Sequence, residues 1–60
     1  MKLLSQWFDY NGNVIAEVFY DQGLYIIKSD HAEKVCFNNE QAAEDFAEYI
    51  YYKVTKEEEA

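Results

Sequence analysis

The chain has no proline and no arginine, and its 60 residues include one cysteine, one histidine and two glycines. Each shortage excludes something. With Cys36 alone, no intrachain disulfide can form, and with His31 alone, a closed Cys/His zinc site is impossible within one chain. All five cations are lysines (Lys2, Lys28, Lys34, Lys53 and Lys56), so the bidentate guanidinium fork that grips phosphate or carboxylate is missing. Gly12 and Gly23 stand alone, so there is no glycine-rich loop to cradle a phosphate. No apolar run approaches the ~20 residues of a membrane span. The opening Met1-Lys2-Leu3-Leu4 meets polar Ser5 and Gln6 at once, which is not a signal-peptide core. There are no repeats and no linker-like stretches.

What is present is acid and aromatic. Twelve acids against five bases give a formal charge of −7, and half the residues are hydrophobic, which argues against an acidic disordered tail. A domain this small buries only about 60% of its unfolded surface, so stability must come from a dense core, good turn chemistry or self-association. The charge opposes direct binding to nucleic acid or to anionic membranes and favours partners with basic surfaces. A single unpaired thiol suits a reducing compartment, so the expected location is cytoplasmic.

The local patterns predict one α+β domain over residues 1–60, a four-stranded antiparallel β-meander followed by a C-terminal amphipathic helix packed on one face (ββββα). Strands are expected at about 3–10, 13–21, 24–29 and 33–37. Asp9-Tyr10-Asn11-Gly12 reads as a type I turn with a glycine bulge, and this sets Asp9 opposite Asn13. Extending that register without interruption pairs Phe8 with Val14, Gln6 with Ala16 and Leu4 with Val18. Leu4, Phe8, Val14, Ala16 and Val18 then share one face, and Leu3, Ser5, Trp7, Ile15, Glu17 and Phe19 share the other. Asp21-Gln22-Gly23 and Asp30-His31-Ala32 read as the next two turns.

Asn38 or Asn39 offers a helix N-cap, and Asn38 with Gln41 has capping-box spacing. The helix is expected over about 39–56, with 57–60 a frayed acidic tail. Ala42, Ala43, Phe46, Ala47, Ile50 and Val54 fall within an arc of about 140° that would face the sheet. Early acids and late lysines suit the helix dipole.

Two surfaces are candidates for function. Glu40, Glu44 and Glu48 recur every four residues, with Asp45 beside them, and like charges at that spacing disfavour the helix slightly. Tyr51 and Tyr52 fall on the same polar arc by wheel angle. Such a face suits a protein partner with a basic site, where carboxylates steer the encounter and tyrosines supply contact area. In size, charge and layout alone it resembles small acidic viral inhibitors that act as nucleic-acid (DNA) mimics. The second candidate is the sheet face the helix leaves open, with Trp7, Ile15 and Phe19, which could dock a partner or form a homodimer. Catalysis is poorly served. Ser29-Asp30-His31 has triad residue types but neighbours on an extended chain point apart, and Asp30, His31 and Glu33 lack specific metal-ligand spacing. His31 and Cys36 could meet only across the third hairpin. The sequence therefore implies a non-enzymatic binding or assembly module with no cofactor and no metal.

Overall fold

The computed structural model describes the backbone of residues 1–59 and the side chains of residues 1–57. Strands β1 (Lys2–Phe8), β2 (Val14–Asp21), β3 (Leu24–Ser29) and β4 (Ala32–Phe37) form one antiparallel sheet in the order β1-β2-β3-β4. Helix α1 (Glu40–Glu59) returns across one face of it. The ββββα architecture is the one the turn signals and hydrophobic periods predict.

The first hairpin is built as its residues dictate. The Gly12 amide donates to the Asp9 carbonyl at 3.1 Å, and the Asp9 amide donates to the Asn13 carbonyl at 2.9 Å. Gly12 takes φ +86°, a region that L side chains rarely adopt. The Asp9 carboxylate accepts the amides of Asn11 and Asn13, each at 2.8 Å, and the Asn13 side chain at 3.3 Å. The Asn13 amide bond in particular holds the Asp9 carboxyl below the ordinary range, with the Asn11 bond helping and partial desolvation opposing.

Beyond the turn, the uninterrupted register is corrected. Phe8 does pair with Val14, but Trp7 pairs with Ala16 and Ser5 with Val18. Ile15 is an extra residue on β2, and Leu4 is an extra residue on β1. Each bulge turns the strand by one position. The first lets Ile15 and Ala16 both enter the core, at 1% and 0% exposure. It also brings Trp7 against that core, while Phe8 and Val14 stay on the outer face at 46% and 39% exposure.

Ser29 props the Ile15 bulge from the neighbouring strand. Its hydroxyl donates to the Ile15 carbonyl at 2.6 Å and accepts the His31 amide at 3.0 Å. The second hairpin is tighter: Asp21 pairs with Leu24, leaving Gln22 (φ +49°) and Gly23 (φ +83°) as its two loop residues. That is the double left-handed geometry of a type I′ turn, with glutamine in a position that favours Asn or Gly.

The helix starts one residue later than expected. Asn39 is the cap: its side-chain carbonyl accepts the Ala42 amide at 3.1 Å, and its main-chain carbonyl accepts the Ala43 amide. The Asn38–Gln41 capping box does not form, and Gln41 donates instead to Asp45 at 2.9 Å. The helix is drawn on through residues 57–59, past the expected end at about 56, as glutamate, a good helix former, allows with no Gly or Pro intervening. Ala60 lies outside the described residues.

Ala43, Ala47, Ile50 and Val54 form the buried stripe of α1 against Ile15, Ala16, Val18 and Ile27. Two alanines in the N-terminal half of the stripe allow close approach to the sheet, and Phe37 packs on Phe46 with ring centroids 5.7 Å apart. Thr55 is the one buried polar side chain among the described residues, and its hydroxyl donates back to the Tyr51 carbonyl at 2.9 Å. No described helix is long and apolar enough to cross a membrane.

Candidate protein-binding surfaces

The helix presents its acids unevenly. Glu40, Asp45 and Glu48 are exposed, whereas Glu44 is half-buried and accepts a hydrogen bond from the Ser5 hydroxyl at 3.3 Å. Glu44 therefore ties α1 to β1 and is less free to meet a partner than the regular four-residue spacing implied. Glu48 accepts from the Tyr52 hydroxyl, and this bond and the negative charge behind it raise the Tyr52 phenol above its ordinary value.

The two tyrosines part company. Tyr52 is 59% exposed, but Tyr51 is half-buried and packs against the core, with its ring edge-on to Tyr52 at 5.4 Å. The placement of Tyr51 on the outward arc is thus corrected: the strip of helix touching the sheet is wider than the alanine-isoleucine stripe, because the bulged first hairpin reaches up beside it. Tyr10 from that hairpin joins Tyr51, Tyr52, Thr55 and Lys56 around a shallow groove of about 340 Å³. Tyr49, unremarked in the sequence, is 60% exposed and stacks obliquely near Phe46, with centroids 6.3 Å apart. Its wheel angle alone was sufficient to place it outward.

The uncovered sheet face is also corrected. Ile15 and Trp7 belong to the helix side, and of the three expected residues only Phe19 faces away from it. Strand pairing lays Leu3, Phe19, Ile26 and Cys36 in one row across all four strands. A polar row lies beside it, where the Gln6 side chain donates to Glu17 at 3.0 Å and Glu17 pairs with Lys28. The Lys28 ammonium sits 5.1 Å above the Phe19 ring, within cation–π range. Leu3, Phe8, Val14 and Leu24 are each between 39% and 46% exposed, so this face is an apolar surface with a charged band. A groove of about 410 Å³ crosses one end of it, lined by Val14, Ile15, Glu17, Lys28, Ser29, Asp30 and Lys34.

The chemical candidates do not assemble. Ser29 spends its hydroxyl on the main chain, as described. His31 is in the last turn, and Cys36 lies opposite Ile26 near the far end of β4, roughly 16 Å away at about 3.3 Å per residue. Among the described residues no group of three or more His, Cys, Asp and Glu side chains converges to hold a metal ion. The chain matches no protein-family model, no curated protein and no solved structure.

Proposed function

We propose that this protein is a small acidic, non-enzymatic protein-binding module of a reducing compartment such as the cytoplasm. It docks the outward face of α1 onto a basic site of a nucleic-acid-handling protein and acts there as an inhibitor of the nucleic-acid-mimic type found in viruses. The observation that carries this reading is the outward face itself. Glu40, Asp45 and Glu48 are exposed on a helix held to the sheet by its buried residues from Ala43 to Val54, with Tyr49 and Tyr52 exposed among them. A helix already packed on a sheet needs no backbone ordering to meet lysines and arginines, and tyrosines add contact area at low entropic cost. The charge of −7 adds long-range attraction to a basic partner and repels nucleic acid and anionic lipid.

The test is capture from cell extract at low and high salt, with double-stranded DNA as competitor, using wild type and Asp45→Lys/Glu48→Lys. The expected result is one stoichiometric partner, released by salt and by DNA and lost in the double variant. A partner retained equally by the double variant, or indifferent to DNA, overturns the reading.

A further inference from the structure

We propose that the uncovered face of the sheet pairs with the same face of a second copy of this chain. The product is a two-fold α/β/β/α sandwich with both acidic helices outward. This is independent of what the helix binds.

Charge selects the occupant. Seven of the twelve acids lie on α1, against two of the five lysines. On the open face, Glu17, Asp21 and Asp30 meet Lys28 and Lys34, so that face carries about −1 of the chain's −7 and mixes both signs. Two copies meeting helix to helix would press like charges together. Two copies meeting sheet to sheet avoid this, and a two-fold axis along the strands lays β2 of each copy over β3 of the other, which sets each Lys28 against the other's Glu17. Sheets stacked in this way lie about 10 Å apart, and their apolar rows interdigitate.

The area sets the strength. Strands of six to eight residues, four across, make a face of about 20 by 19 Å. That is roughly 400 Å² in projection, and more with side-chain relief, which is the small end of specific interfaces. Pairing over so small a face is expected to be weak and to need high protein concentration. It would also cover Leu3 and Phe8, which a lone copy leaves 44% and 46% exposed.

Cys36 provides a reporter already in place, since it is exposed in the single chain and lies in the apolar row. The experiment measures molar mass by light scattering, and Cys36 modification by a soluble thiol reagent, from ~5 to ~500 µM protein, a range that brackets micromolar affinity. The expected result is a doubling of mass together with a fall of about tenfold or more in Cys36 reactivity. Leu3→Glu and Phe8→Glu, at exposed positions, should stay monomeric with unchanged circular dichroism and concentration-independent Cys36 reactivity. A monomer across the whole range overturns the proposal. So does a dimer whose Cys36 reacts as fast as in the monomer, because such a dimer uses a strand edge or the helix.

Discussion

The bulge at Ile15 makes two neighbouring residues respond unequally to small substitutions. Ile15 is 1% exposed under the helix, and Val14 is 39% exposed on the far side of the sheet. Ile15→Val removes one methylene from a packed site, which costs about 0.5–1.5 kcal/mol. Sixty residues at roughly 0.05–0.15 kcal/mol each give a total stability of about 3–9 kcal/mol, so the loss is substantial. The unfolding entropy, at about 2.1 cal/mol/K per residue, is roughly 0.13 kcal/mol/K, and the Tm should fall by about 4–12 °C. Val14→Thr is the more polar change but exposes its hydroxyl to water, so stability should stay within about 0.5 kcal/mol of wild type. Thermal unfolding followed by far-UV circular dichroism, at ~5 µM so that weak self-association contributes little, measures both. If Val14→Thr lowers the Tm more than Ile15→Val does, Ile15 faces outward, the two strands pair in the uninterrupted register, and the assignment of faces described above is wrong.

Three further outcomes are expected. Gln22→Asn should stabilise the protein by roughly 0.5–1 kcal/mol in urea unfolding, because asparagine tolerates the φ of +49° that glutamine is forced to adopt. Asn39→Ala should cost about 1 kcal/mol by removing the cap on the Ala42 amide, and Asn38→Ala should be close to neutral in the same titration. Asp9 is depressed in the fold relative to the ordinary 3.8, so its contribution is complete above that value and is lost as pH falls below it through the folded pKa. The stability difference between wild type and Asp9→Ala should therefore be constant near neutral pH and shrink below pH 3.8.

What could be read in advance was local. Asp9, Asn11 and Gly12 specify their turn within four residues, and the spacing of Ala43, Ala47, Ile50 and Val54 specifies a buried helical stripe, so both were legible. The bulges were not. Leu4 and Ile15 are extra only relative to a partner strand, and at Ile15 the bulge carbonyl is held by the Ser29 hydroxyl, fourteen residues away, which no local pattern reveals. An error of one position then moved Trp7 and Ile15 to the wrong face, since side chains alternate along a strand. On the helix, charge spacing located the acids but could not reveal that Ser5, 39 residues away, engages Glu44. The cap fell on Asn39 rather than Asn38 because the two asparagines are equivalent locally and only the chain's exit from β4 distinguishes them.

The strand order has a bearing on how the chain finds its structure. Each strand pairs only with its neighbour in sequence, so every hairpin can close over a short loop with little entropic cost. Topologies rich in such near contacts fold quickly. The helix alone must reach back over a long separation, as the link from Ser5 to Glu44 shows. Its docking is the event that seals Ile15, Val18 and Ile27 from water. Substitutions in the three hairpin turns should therefore act mainly on the rate of reaching the sheet, and substitutions at Ala43 and Ala47 on the rate at which the finished molecule comes apart.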